Sequence, residues 1–304
     1  MNSLNIAKAL FHDALKLRGE VYRHLGDFNN AVRDSAHLCR LTRSSGDAAG
    51  YIDARLAIAN LYNLMGLKTR AAAYAKRAIP YAKRSDLKLS LALAYAVLGS
   101  SLRNLENRRK DALQYYLKAL DIYKGTSEAD SLCVMHCNAA ILYKELNEDG
   151  KCMEHLNETL KIAVRNRLLV HIANVKNELG TFYARNGQHG PAERAYKESL
   201  KIKTSVGDNN GLAMSLNNLG QLYIRTGENI KSLRCLKKAY ETVLPTGNLF
   251  GLYVCARNLG NAYGRAGKSG KAVCFLKIAL RNAVAVDYSP GIALCKEEIA
   301  ALKR

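Results

Sequence analysis

The stretch that decides the fold runs from residue 213 to residue 240 and reads AMSLNNLGQLYIRTGENIKSLRCLKKAY. Its apolar residues recur at intervals of three and four, first around Leu219 and Tyr223 and then around Leu236, which is the period of an α-helix. Gly227 lies between the two amphipathic segments, where a helix commonly ends in the left-handed conformation. The stretch therefore predicts two short helices joined by a tight turn.

The same pattern recurs along the whole chain with a period of 40 or 41 residues. One column holds an aromatic or large apolar residue: Tyr22, Tyr62, Leu102, Tyr143, Tyr183, Tyr223 and Tyr263. Three residues earlier, a column of small residues, which we call the small column, contains Gly19, Ala59, Gly99, Ala140, Gly180, Gly220 and Gly260. Small residues allow two helix backbones to approach closely, so we expect seven helix pairs that cross at this column. Between pairs, Gly46-Asp47, Gly207-Asp208 and Gly247-Asn248 predict a helix stop followed by a helix N-cap.

Seven copies in register resemble the tetratricopeptide repeat family, although that family's usual period is about 34 residues. The longer period, the pattern Gly207-Asp208-x-x-Gly211 and the tripeptide Leu259-Gly260-Asn261 resemble the Leu-Gly-Asn repeat-enriched (Pins-type) adaptors. The resemblance implies an all-α fold, a right-handed superhelical solenoid of seven helix-turn-helix pairs plus a C-terminal capping helix, in one domain over 1–304. We expect repeats at about 4–43, 44–84, 85–125, 126–165, 166–205, 206–245 and 246–286, with the capping helix at 289–303.

The charge of the chain is strongly positive. Its 46 Lys and Arg residues against 26 Asp and Glu residues give a net charge of +20, which suits an acidic protein partner or a nucleic acid. The longest apolar run, residues 91–98, has eight residues, far fewer than the roughly 20 of a membrane-spanning helix. The eight cysteines are scattered and no signal peptide is evident, so we expect a cytoplasmic protein with reduced thiols and no membrane span.

Two patterns could carry chemistry, and both have a simpler explanation. Residues 262–269 fit a loose phosphate-loop pattern, but they align with inter-helix turns instead of following a β-strand. Cysteine and histidine residues cluster between Cys133 and His155, yet Cys152 occupies a position where other repeats have Ala or Ser, which indicates a buried small residue. We therefore expect no enzymatic activity, no metal and no other cofactor.

The resemblance implies that the first helix of each pair lines a concave groove. Helical periodicity then predicts the residues that face this groove and bind a partner: Asn177, Arg185, Asn217, Gln221, Arg225, Arg257, Asn261, Arg265, Asn60 and Arg103. Three of them, Arg185, Arg225 and Arg265, recur at intervals of 40 and form what we call the arginine ladder. An asparagine amide can both donate to and accept from a peptide unit, and an arginine pairs with a carboxylate through two hydrogen bonds.

These residues predict a non-catalytic scaffold or adaptor that binds an extended or helical, acidic segment of a partner protein in its concave groove. Two alternatives stay open: sequence-independent nucleic-acid binding through the basic surface, and a peptide-responsive regulator of another enzyme. Nucleic-acid binding is disfavoured because six tyrosines occupy the packing column instead of an exposed stacking surface. The arginines also have a structural explanation, because the C-terminal end of a helix favours cations.

Overall fold

The structure is a computed structural model that describes residues 3–103, 105 and 107–302, with side chains from residue 10 onward. This part of the chain contains 15 α-helices, one 3-10 helix and no β-strand. It divides into two compact units, Met1–Cys152 (unit 1) and Met153–Arg304 (unit 2). The helices are α1 (Ser3–His24), α2 (Phe28–Ser44), α3 (Ala48–Leu64), α4 (Lys68–Arg84), α5 (Lys88–Arg103), α6 (Arg109–Tyr123), α7 (Ala129–Glu145), α8 (Asp149–Arg165), α9 (Leu169–Arg185), α10 (His189–Ser205), α11 (Asn209–Arg225), α12 (Asn229–Val243), α13 (Leu249–Arg265), α14 (Ser269–Ala285) and α15 (Ser289–Ala301), and the 3-10 helix is Leu244–Thr246.

The helices alternate between a first and a second helix of each pair, and most pairs are joined by a three-residue turn. In the turns within pairs that contain glycine, the glycine adopts a left-handed conformation, as Gly227 does with φ +79°. Where glycine is absent, Asp86 and Asn147 take the same conformation with φ 51° and 60°. The seven helix pairs and the single last helix predicted from the sequence are confirmed.

Within each unit the pairs stack in chain order. In unit 1, α3 packs against α2, α4 and α5, and in unit 2, α11 packs against α9, α10, α12 and α13. The first helices of successive repeats therefore contact one another directly, as α11 and α13 do. This arrangement brings equivalent positions of successive first helices side by side on one face of each unit.

The small column lies where the two helices of a pair cross closely. A Cβ atom on Gly180 would come within 2.6 Å of the Tyr196 ring, and one on Gly220 within 2.7 Å of Leu236 Cγ. These distances are shorter than a van der Waals contact, so only glycine fits at these two crossings without movement of the facing side chain. The role predicted for the small column is thus confirmed at the residues that decide it.

The predicted N-caps of three first helices are also confirmed. The Asp47 carboxylate accepts a hydrogen bond from the Gly50 N–H at 2.9 Å, and the Asn248 side-chain oxygen accepts one from the Gly251 N–H at the same distance. Asp208 caps α11 in the same way, accepting from the Gly211 N–H at 2.8 Å. Each cap satisfies a backbone donor that a helix start otherwise leaves unpaired.

Candidate partner-binding surface

A cavity in unit 1 identifies the positions of the first helices that face inward. It has a volume of about 620 Å³ and lies between α1, α3 and α5. The predicted site residue Asn60 lines it, together with Leu64 one turn further along α3 and with Asp53 two turns before Asn60. Leu93, the residue of α5 that corresponds to Asp53, lines it as well. The inner face of a first helix in unit 1 therefore includes the positions of Asp53, Asn60 and Leu64.

The 40-residue register transfers these inward positions to unit 2. The position of Asn60 corresponds to Gln221 and Asn261, both half-buried. The position of Leu64 corresponds to the arginine ladder, whose three side chains are exposed. Each ladder residue is the last residue of its helix, α9, α11 or α13.

Arg225 and Arg185 each make a long contact in the described structure. The Arg225 Nη1 lies 3.5 Å from the Ala184 carbonyl oxygen of the preceding first helix, and the Arg185 guanidinium lies 5.9 Å from the centre of the Phe182 ring. Neither Arg225 nor Arg265 has a carboxylate partner among the described residues. Two exposed guanidinium groups of the ladder are therefore available to an external carboxylate.

Asn177 and Asn217 require a correction, because they do not offer their amides to a groove. Asn177 is 1% exposed, and its Oδ1 accepts hydrogen bonds from the Ser215 hydroxyl at 3.0 Å and from the Asn218 Nδ2 at 3.2 Å. Asn217 is 6% exposed and accepts from the Asn258 Nδ2 at 2.9 Å. Both asparagines thus join successive first helices, since a buried amide must find its hydrogen-bond partner inside the protein.

Arg257 and Asn261 already bind a carboxylate, that of Glu298 on α15. The Arg257 Nε and Nη2 donate to the two Glu298 oxygens at 3.0 and 2.5 Å, and the Asn261 Nδ2 donates to Oε1 at 3.0 Å. The hydrogen bond with Glu298 raises the pKa of Arg257 above its usual value. These two predicted site residues therefore seat the last helix in the described structure.

Arg103, the predicted site residue at the end of α5, is also paired within unit 1. Its Nη2 lies 3.4 Å from an oxygen of Glu145, and Arg109 approaches the other oxygen of the same carboxylate at 3.0 Å. Helical periodicity places Arg103 on the inner side of its helix. It does not predict the acidic partner, Glu145, which lies on α7, 42 residues later in the chain.

The sequence prediction missed a row of apolar residues on the inner face of unit 2. The position of Leu93 recurs at intervals of 40 as Met214, Val254 and Leu294, which we call the apolar ladder. Met214 is 46% exposed and Leu294 is 38% exposed, while Val254 is half-buried. Their regular interval is the signal that could have identified them, but single apolar residues on a helix are usually assigned to the core.

The residues that suggested chemistry behave as structural elements. Residues 262–269 run from the end of α13 through Gly267, with φ +70°, into the start of α14, which is the inter-helix turn that their register predicted. Cys152 is 2% exposed, and burial raises the pKa of the Cys255 thiol to about 12 and that of Cys133 to about 11. In the described residues no three His, Cys, Asp or Glu side chains are placed to hold a metal ion.

Family models match the chain over most of its length. Residues 171–244 match the model described as Tetratricopeptide repeat. The chain is a tetratricopeptide repeat protein. Residues 20–104 and 98–175 each match the model described as Anaphase-promoting complex subunit 5. The starts of these two matches differ by 98 − 20 = 78 residues, about two of the 40-residue repeats. The likeness to the Pins-type adaptors stays a prediction from short motifs.

Known relatives share this architecture. The chain is 31% identical over 104 residues to the Regulatory protein RapK of Bacillus subtilis (strain 168), a match that covers 34% of this chain and only 28% of that relative. The structure of the apo form of RapI superposes with a TM-score of 0.69 at 14% identity, over 91% of this chain and 98% of that one. A Rap protein complexed with competence and sporulation factor gives a TM-score of 0.70 at 14% identity, over 91% of this chain and 76% of the other. These two structures show the repeat fold.

The described helices are too short or too polar to cross a membrane.

Proposed function

We propose that this tetratricopeptide repeat protein is a non-catalytic interaction adaptor that binds an acidic segment of a partner protein along the inner face of unit 2. The observation that carries the proposal is the arginine ladder, which places an exposed guanidinium at the end of three successive first helices. A guanidinium pairs with a carboxylate through two parallel hydrogen bonds, so a row of them selects acidic side chains.

The contrast with neighbouring cations supports this proposal. Two lysines of unit 2 are paired with carboxylates within the unit: Lys176 pairs with Glu198 at 2.7 Å and Lys197 with Glu193 at 2.7 Å. Arg225 and Arg265 keep their charge without such a partner among the described residues. The pairing of Arg257 and Asn261 with Glu298 also illustrates how an arginine and an amide on this face can hold one carboxylate.

The test is the binding of a fluorescent, glutamate-rich peptide, measured by anisotropy at two salt concentrations. Replacing Arg225 or Arg265 by Gln removes one charge each, and we expect a several-fold weaker affinity from each change, since an exposed pair contributes about 0–1 kcal/mol. Lys277→Gln is the matched control, because Lys277 is an exposed cation on the second helix α14. Equal losses from the ladder variants and from Lys277→Gln would refute a specific role for the ladder.

Single-stranded RNA in the same assay tests the nucleic-acid alternative. If the adaptor function is correct, RNA competes weakly and loses its effect as salt increases, because only the diffuse positive charge attracts it. RNA that binds more tightly than the acidic peptide, with no change in the ladder variants, would favour the alternative and overturn the proposal.

A second candidate function is a peptide-responsive regulator of another enzyme. The observation that favours it is the likeness to a curated regulatory protein and to a Rap protein bound to competence and sporulation factor. The two candidates differ in what binding does to the rest of the chain. Hydrogen exchange measured with and without the acidic peptide separates them: protection limited to α9–α15 fits an adaptor, and altered exchange in α1–α7 fits a regulator that changes state.

A further inference from the structure

Two parallel rows of side chains run across the first helices of unit 2. The apolar ladder lies on α11, α13 and α15, and the arginine ladder lies on α9, α11 and α13, so α11 and α13 carry both. On α11 the two rows are represented by Met214 and Arg225, which are 11 residues apart. Between them lies Gln221, which occupies the inward position that Asn60 holds in unit 1. On α11 an apolar group, an amide and a guanidinium therefore follow in that order, and α13 repeats the order with Val254, Asn261 and Arg265, where the Asn261 amide is bonded to Glu298.

The distance between the two ladders suits the breadth of an α-helix. Eleven residues of helix rise about 16 Å, and a helix with its side chains is about 10–12 Å across. The remaining few ångströms are within reach of the long side chains of Met214 and Arg225. A helix that lies across α11 and α13 can thus touch the apolar ladder with one flank and the arginine ladder with the other.

The distance between equivalent residues on neighbouring first helices, which are the rungs of each ladder, suits the same ligand. The Asn217–Asn258 hydrogen bond at 2.9 Å shows that α11 and α13 are direct neighbours, and neighbouring helices lie about 8–10 Å apart. Seven residues of an α-helix rise about 10.5 Å, so equivalent heptad positions meet successive rungs. In an extended strand, side chains on the same side recur every two residues, at about 6.7 Å, and every four residues, at about 13 Å. Neither spacing matches the distance of about 8–10 Å between neighbouring first helices. A polyproline helix repeats at about 9.3 Å and follows the rungs, but it is the thinner ligand for two ladders about 16 Å apart.

We propose that the inner face of unit 2 binds an amphipathic α-helix whose heptads carry acidic residues on one flank and apolar residues on the other. The acidic flank pairs with Arg225 and Arg265, and the apolar flank covers Met214, Val254 and Leu294. This proposal rests on the proposed function and adds the conformation and the patterning of the partner segment. The exposed apolar surface gives it a driving force that charge alone lacks, because burying apolar surface on binding is favourable and does not weaken with salt.

Four synthetic peptides of four heptads each test the proposal by anisotropy with the full chain. The first has Glu on one flank and Leu on the other, and the second has the same composition shuffled so that neither stripe exists. The third is the first peptide with two central residues replaced by Pro, which breaks the helix, and the fourth has Gln in place of Glu. We expect the first peptide to bind about tenfold more tightly than the second and third, which corresponds to about 1.4 kcal/mol.

Variants of the protein assign the two flanks. Met214→Gln weakens the first peptide several-fold, whereas Ile230→Gln, a change at a residue that is 78% exposed on the second helix α12, leaves it unchanged. Arg265→Gln weakens the first peptide but not the fourth. Equal binding of the first, second and third peptides overturns the helical partner while leaving acidic-segment binding intact, and binding of none of the peptides contradicts both proposals. Loss of binding with Ile230→Gln as large as with Met214→Gln also overturns the apolar flank.

Discussion

Replacing Gly180 by Ala tests the close crossing of α9 and α10. The added Cβ would lie 2.6 Å from two ring carbons of Tyr196, which is 3% exposed and donates a hydrogen bond to the Thr181 hydroxyl at 3.2 Å. The ring must move by nearly an ångström, and overpacking of this kind costs about 1–3 kcal/mol. Alanine regains about 1 kcal/mol of helix propensity. We therefore expect the free energy of unfolding in urea to fall, by up to about 2 kcal/mol.

The matched control is Gly19→Ala at the same column of the first repeat. There the nearest atom to the new Cβ is the Asp34 Cβ at 3.7 Å, an ordinary contact. Only the helix-propensity effect remains, so this variant is expected to gain about 0.5–1 kcal/mol. The same substitution at two equivalent positions thus has opposite signs. If Gly180→Ala stabilises the protein as much as Gly19→Ala does, the small column does not act through helix approach and the reasoning is wrong.

Three further predictions follow from contacts in unit 2. Asn217→Ala removes the acceptor of the Asn258 amide and should lower the stability to urea by about 1 kcal/mol without changing peptide affinity; reduced affinity at unchanged stability would restore Asn217 to the binding surface. A double-mutant cycle of Arg257→Gln and Glu298→Gln should give a coupling of about 1 kcal/mol, between the values for exposed and for desolvated pairs, because the two side chains are 26% and 23% exposed; zero coupling would contradict the seating of α15 by this pair. Lys203 is fully buried, its Nζ donates to the Gly211 carbonyl at 3.2 Å and to the Ser215 hydroxyl at 3.1 Å, and burial lowers its pKa. Since the unfolded chain then binds the proton more tightly than the folded chain, the stability of the wild type should rise relative to Lys203→Met as the pH increases from 7 towards the usual lysine pKa of about 10.4. A difference between these two proteins that is independent of pH, measured by urea unfolding, would show that Lys203 titrates normally.

The repeat fold could be predicted from the sequence because its determinants are local and recur. The glycine at position 180 or 220 and the turn glycine at position 227 each reflect one short-range requirement, close approach or a left-handed backbone. Each requirement is repeated in several copies, so that one exceptional residue does not obscure the pattern. Where a turn lacks glycine, Asp86 and Asn147 adopt the same backbone conformation, which is why the departures from the motif do not interrupt the stack.

The binding surface was less predictable because contacts between repeats decide which of its side chains are exposed and which are paired. Helical periodicity places Asn177 and Asn217 beside the groove, but their side chains accept hydrogen bonds from Asn218 and Asn258, which lie 41 residues later in the chain. The pairing of Arg257 with Glu298 likewise spans 41 residues. A periodic sequence shows which positions are equivalent; it does not show which equivalent side chains meet.

The most direct test of the central claim is a charge exchange between the arginine ladder and its ligand. The variant Arg225→Glu/Arg265→Glu is titrated with the glutamate-rich peptide and with its counterpart in which every Glu is replaced by Lys. We expect the affinity of the variant for the acidic peptide to fall about tenfold or more, which corresponds to about 1.4 kcal/mol, and its affinity for the lysine peptide to rise. The circular dichroism spectrum is expected to stay helical. If the variant binds both peptides as the wild type does, the ladder is not the site at which this protein recognises an acidic partner.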